Sequence, residues 1–152
     1  MPLSSSLQVS ASGLTAERLR LDVISNNIAN ANTTRGADGQ PYRRQEVIFA
    51  AREGGQNSFA SQLTSARGGG LEQTAGMGVQ VTSIRADTAH AFKIVHNPSH
   101  PDADAAGNVK MPNIEPIMEM VDMMSATRAY EGGIAAISAA KQMQQRALDI
   151  GR

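Results

Sequence analysis

Three histidines and two aspartates lie close together in one stretch of the chain: His90, His96, His100, Asp102 and Asp104. Imidazole and carboxylate are ligands for zinc or manganese, and a metal held by them would activate water for hydrolysis. The spacing speaks against such a site. His96 and His100 flank Pro98 in a turn, so they do not share one helical face as a preformed ligand pair would. Other catalytic machinery is missing too. No Ser or Thr stands in a recognisable nucleophile motif, there is no cysteine, and Gly68-Gly69-Gly70 lacks the following Lys and Ser/Thr of a phosphate-binding loop. The expectation is a protein that is not an enzyme and holds neither metal nor cofactor. A metal-assisted hydrolase built on the His96 to Asp104 cluster is the alternative from another class.

Composition narrows the possible partners. The 152 residues carry no formal net charge, which removes the cationic field that drives binding to nucleic acid or to anionic membranes. Aromatic residues make up 3% and there is no Trp, so the core must be thin or built from helices. Without cysteine, disulfides and thiolate metal sites are excluded. The N-terminus lacks the basic and unbroken apolar regions of a secretory signal, because polar residues and Gly13 interrupt it. No segment approaches the roughly 20 apolar residues of a membrane span. The expected partners are other proteins.

The elements that must position these residues fall into three segments: 1–33, 34–112 and 113–152. In the first, Leu7, Leu14, Leu21 and Ile28 recur every seventh residue, with Ala11, Ile24 and Ala31 widening the stripe, which predicts an amphipathic helix over about residues 6–31. Ser5 and Gln8 have the spacing of a capping box, and the Asn-rich run Asn26, Asn27, Asn30, Asn32 marks the end. The middle segment reads as a small strand-rich domain. Val47–Phe49, Val79–Ile84 and Phe92–Val95 are its strands, and Gly54 to Gly70 is expected to be a mobile surface loop. The last segment opens at Asn113 as helix cap with Pro116 in the first turn, and would run roughly 55–60 Å as a helix. The fold class is therefore mainly α with a small β-rich insert, the long terminal helices forming a coiled-coil pair.

On the last helix, Ile114, Ile117, Val121 and Met124 step by three and four, and after Gly132-Gly133 the pattern resumes as Ala136, Ala140, Met143, Ala147 and Ile150. Such stripes form either the core of a bundle or a seam between chains. Length favours the seam, because a pair of helices buries only one face of each, and an uncovered apolar remainder on terminal helices leads to a head-to-tail polymer. Methionines at 111, 118, 120, 123, 124 and 143 either adapt this surface to differing neighbours or fill a core. The alanines at 126, 129, 135, 136, 139 and 140 either let backbones approach or simply favour helix.

The run from Gly13 to Thr33, ending Val23-Ile24-Ser25-Asn26-Asn27-Ile28-Ala29-Asn30-Ala31-Asn32-Thr33, resembles the N-terminal signature of flagellar rod and hook proteins. Asp38–Arg43, His100–Asp104 and Val109–Asn113 resemble one proximal-rod branch of that family rather than FlgB or FlgG. Glu119–Tyr130 and Ala139–Met143 are similar to the family's C-terminal helix. The resemblance implies a structural subunit of the proximal rod, the drive shaft of the basal body in the periplasmic space. It also implies export through the flagellar type III apparatus without signal cleavage. The subunit would pack against copies of itself and against FlgB, FlgF, FlgG and FliE, its terminal helices forming the inner tube. The residues expected to carry assembly are Gly13, Leu14, Leu21, Ile24, Asn26, Asn27, Ile28 and Asn30 on the first helix, and Ile117, Val121, Met124, Ala136, Ala140 and Met143 on the last. Asn27 and Asn30 are expected to satisfy backbone groups where the first helix ends. Gly132-Gly133 departs from the family pattern of bulkier residues and is expected to bend or loosen the helix locally.

Overall fold

A computed structural model describes residues 3–36, 38–52 and 78–150. In chain order the elements are helix α1 (Leu3–Ala29), strands β1 (Gln45–Ala51), β2 (Val79–Ala86), β3 (Lys93–His96) and β4 (Asn108–Met111), and helix α2 (Pro116–Ile150). The chain is thus mainly helical with a small antiparallel strand region between two terminal helices. The expected Gly54 to Gly70 loop lies outside the described residues.

Both helix starts differ from the sequence reading. Helix α1 is helical from Leu3, so Ser5 lies within the first turn and not ahead of it. Serine is tolerated there because first-turn amides have no intrahelical acceptor in any case. At the other helix, the Glu119 N–H donates to the Glu115 carbonyl at 3.1 Å, which makes Glu115 and not Asn113 the residue flanking the helix. The cause is Pro116, whose ring is preset for a first helical position but drives the preceding residue out of helical geometry. Helix α1 closes on a tightened turn. The Asn30 N–H and its side-chain amide both donate to the Asn26 carbonyl, at 3.1 and 2.9 Å, and the Ala31 N–H donates to Ile28 at 3.2 Å.

Two hairpin-like pairs make up the strand region. Strands β1 and β2 are hydrogen-bonded neighbours, and the alternation of β2 is half-buried at Val79, Val81 and Ser83 and exposed between them. Their flanking bonds, Arg52 N–H to Gly78 O at 2.9 Å and Asp87 N–H to Arg44 O at 2.7 Å, run in opposite senses along the two strands. Strands β3 and β4 pair antiparallel, Lys93 opposite Met111 and His96 opposite Asn108. Their connection is closed by Asn97 N–H donating to Gly107 O at 2.8 Å. Gly107 takes φ 76°, and a Cβ there would stand 3.0 Å from both His96 and Pro98. Strand β4 is an element the sequence reading did not assign.

The chain divides into two compact units. One holds Glu17–Ile48 and Thr82–Ala129. Its buried apolar side chains, among the described residues, are Val23, Ile24, Ala31, Pro41, Val109, Pro112 and Ala126, all small or medium in size. The other holds the start of α1, the adjoining ends of β1 and β2, and the second half of α2. There Ser12 Oγ donates to the Val9 carbonyl at 2.6 Å and accepts the Val79 N–H at 3.1 Å. This bond requires Gly78, at φ +91°, because a side chain at 78 would collide with Ser12.

Helix α2 continues unbroken through Gly132-Gly133. The two glycines have different surroundings. A Cβ on Gly132 meets nothing within 4 Å, whereas one on Gly133 would lie 2.7 Å from Leu14 Cδ2. Gly133 thus seats Leu14 of α1 against the α2 backbone. Gly132→Ala should raise stability by about 1 kcal/mol through helix propensity alone. Gly133→Leu should lower it by about 1–3 kcal/mol through overpacking, and Leu14→Ala should restore much of that loss. Urea melts of the three variants and the double variant check this.

Candidate functional site

Where α1 ends, α2 begins and the chain enters β1, three polar side chains meet in the interior of one unit. Asn27 is completely buried and Glu119 is 1% exposed. The Asn27 amide group donates to the Gln45 carbonyl at 2.8 Å and to Glu119 Oε2 at 3.2 Å. Its oxygen accepts the Gln45 N–H at 2.9 Å and the Tyr42 hydroxyl at 3.1 Å. Asn27 therefore pairs with both backbone groups of Gln45 as a neighbouring strand would, and it starts β1 with a side chain.

Glu119 lies in the first turn of α2, where the helix dipole favours a negative charge. Its other oxygen, Oε1, accepts Arg44 Nε at 2.6 Å, and Arg44 reaches Asp122 at 3.6 Å. Burial pulls against the charge on Arg44, but the hydrogen bond from Glu119 and the charges of Glu119, Glu46 and Asp122 outweigh it and hold the guanidinium above its usual range. The Tyr42 phenol is pushed up, first by burial and then by the nearby charge of Glu119. Around this cluster Arg43 stacks 4.4 Å over the Phe92 ring and donates to the Asp87 carbonyl at 3.0 Å. Both donors and both acceptor positions of the Asn27 amide are met within the chain, which suits fixing backbone.

The residues expected to carry assembly separate into two groups. Ile24 and Asn27 are buried; Gly13, Leu14, Leu21, Ile28 and Asn30 are half-buried; Asn26 is exposed. On α2, Ala140 is buried, but Ile117, Val121, Met124, Ala136 and Met143 all face outward. The inward face of α2 is instead Glu119, Ala126, Gly133 and Ala140, spaced by sevens, with Met123, Tyr130 and Ile137 half-buried between them. Sequence reasoning missed Glu119 and Arg44 as partners of Asn27. The seven-residue spacing from Glu119 through two alanines and a glycine was the available signal.

The histidine and aspartate cluster is taken up by local turns. Asp104 accepts the Ala106 and Asn108 amides, each at 2.9 Å. Asp102 accepts the Thr34 hydroxyl at 2.7 Å, and the Asp102 amide donates to His100 Nδ1 at 3.1 Å. His90 faces Asp87 at 2.6 Å and His96 faces Asn108 at 3.1 Å. Among the described residues no three such side chains converge to hold a metal ion, nor is any helix long and apolar enough to cross a membrane.

Both ends of the chain match known families. Residues 7–37 match the family described as flagella basal body rod protein, and residues 105–150 match the C-terminal region of the flagellar basal body rod FlgEFG proteins. Together with two terminal helices around a small strand region, these matches define a structural rod subunit of the bacterial flagellum. Over its full length the chain is similar to flagellar basal-body rod proteins FlgC. It is 45% identical to that of Bacillus subtilis, with 97% of each chain covered. It is 45% identical to that of Borreliella burgdorferi, with 99% of this chain and 98% of the other covered, and 38% identical to that of Salmonella typhimurium over all of both. The chain belongs to the FlgC family of flagellar basal-body rod proteins.

Two predictions test the buried cluster. Arg44→Met leaves the Glu119 carboxylate without its cation and should cost about 3–5 kcal/mol in chemical denaturation. Tyr42→Phe removes one hydrogen bond and should cost about 1 kcal/mol near neutrality. Because the phenol's pKa is higher folded than unfolded, its contribution is complete below the ordinary value of 10.0 and is lost as pH rises through the raised folded value. The stability gap between the parent and Tyr42→Phe should close over that alkaline window.

Proposed function

We propose that this subunit enters the proximal rod through its terminal helices, which pair as a coiled coil and line the axial tube while the middle segment faces outward. The observation that carries the reading is the outer face of α2. Ile117 is 66% and Val121 49% exposed, and Met118, Met120, Met124, Ile134, Met143 and Leu148 are exposed with them. From Lys141 to Asp149 every residue is exposed. So much uncovered apolar surface on one long helix is a surface that other chains cover. Neighbours stacked head to tail along this stripe would extend into a filament, since a contact that does not close on itself generates one. Rod membership implies assembly with other rod proteins. We assign that role to copies of this chain and to FlgB, FlgF, FlgG and FliE. Delivery is assigned to the flagellar type III export apparatus, with the assembled subunit in the periplasmic space. Thioethers on the covered face suit contact with several non-identical neighbours.

Ile117→Asp and Val121→Asp put a carboxylate on this face. In the free subunit both positions meet water, so thermal unfolding should be unchanged within about 0.5 kcal/mol. In the rod, each would bury an unpaired charge at every copy, at about 3–5 kcal/mol per subunit, and recovery of the variants in purified basal bodies should be lost. Normal recovery would overturn the seam. Loss of recovery together with loss of the unfolding transition would instead make this stripe part of the subunit's own core.

A further inference from the structure

Eight methionines and no cysteine make the thioether the one sulfur group in this chain. Hydroperoxides attack sulfur side chains, and a thioether reacts where its sulfur meets solvent. Three exposed methionines cluster in the first turns of α2, within a single compact unit. Met118 is 58%, Met120 48% and Met124 55% exposed, whereas Met123 on the same helix is half-buried. Met120 and Met124 are one turn apart and share one side of the stripe formed by Ile117 and Val121; Met118, three residues before Val121, lies on its other side. Oxidation of any of these sulfurs therefore puts an oxygen in or beside the stripe.

With hydrogen peroxide the thioether sulfur attacks one peroxide oxygen, and an S–O bond forms as the O–O bond breaks. Sulfur gives up two electrons, and the second oxygen leaves with both hydrogens as water. The product, methionine sulfoxide, is polar where the thioether was apolar. Its cost depends on its surroundings. On the free subunit the added oxygen meets water and the fold is undisturbed. In a covered seam beside Ile117 and Val121 it needs a donor that apolar side chains lack, and burial without one is unfavourable.

We propose that Met118, Met120 and Met124 are modification sites for hydroperoxides in the unassembled subunit, that the sulfoxide form is excluded from the rod, and that incorporation shields the thioethers. The inference rests on the outer face of α2 being a seam, and adds to that reading a chemical condition on which subunits enter.

Two measurements test it. Hydrogen peroxide is applied to the purified full-length chain and to purified basal bodies, and methionine oxidation is followed by peptide mass spectrometry. In the free chain Met118, Met120 and Met124 should oxidise about fivefold faster than Met123, and in basal bodies each should oxidise about tenfold more slowly than when free. Separately, Met118→Gln, Met120→Gln and Met124→Gln combined in one chain stand in for the sulfoxides, with leucine at the same three positions as the apolar comparison. Both chains should keep the parent's thermal midpoint, and the Gln chain should be recovered in basal bodies about tenfold less than the Leu chain. Equal recovery of the two chains, or methionines oxidised as fast in basal bodies as in the free chain, overturns the proposal. So does loss of the unfolding transition in the Gln chain, which would place these side chains in the subunit's own core. Ile117→Asp separates these failures from a failure of the seam. If that variant is absent from basal bodies while either of the first two results is found, the seam stands and only the oxidation proposal falls; if it is recovered normally, both fall.

Discussion

A carboxylate that keeps 1% of its surface exposed needs donors to replace the water it has lost. For Glu119 these are Arg44 Nε and the Asn27 amide, one on each oxygen, and the first turn of its own helix adds a favourable field. The requirement acts on the surrounding backbone. Asn27 can donate to Glu119 only from the last turns of α1, Arg44 only from the entry to β1, and Glu119 only because Pro116 sets the start of α2. The end of one helix, the start of the other and the first strand residue are thus constrained by one desolvated charge.

The two faces of α2 follow from opposite demands. Where the helix meets its own chain, side chains are small or bonded: Ala126 is fully buried and Gly133 lies under Leu14. Small residues permit close approach of a neighbouring backbone, as Gly133 does for Leu14. Large apolar side chains would hold the helices apart, and they are on the outside. In a free globular protein that distribution would be a liability to aggregation.

This reversal explains which parts could be read from the sequence. Alternation exposed β2, whose alternate residues are half-buried, whereas β1 and β3 were legible from their apolar and β-branched runs, β3 having only Val95 half-buried. Strand β4 carries a single buried side chain, Val109, in four residues, too little to make a pattern. On α2 the periodicity of Ile117, Val121 and Met124 is real, but hydrophobic spacing cannot say whether a stripe faces inward or toward another molecule. The inward stripe is nearly silent to such reasoning, since alanine and glycine carry little hydrophobic signal and an isolated glutamate reads as surface. Asn27 was legible as a residue bonding backbone near the helix end. Its partners Gln45 and Glu119 lie 18 and 92 residues away, and no local rule connects them. Gly132 and Gly133 look alike in sequence, and only the position of Leu14 distinguishes them.

That separation also sets the entropic cost of closing the chain. Loop-closure entropy rises with the logarithm of chain length between the joined points. Bringing Asn27 to Glu119 closes 92 residues, whereas joining His96 to Asn108 across the β3–β4 connection closes 12. The difference is about 2 kcal/mol in the unrestrained chain, before the cost of forming the helix ends is added. By this term the short connection is the cheaper one to close, and the costlier closure is the one on which the buried cluster depends.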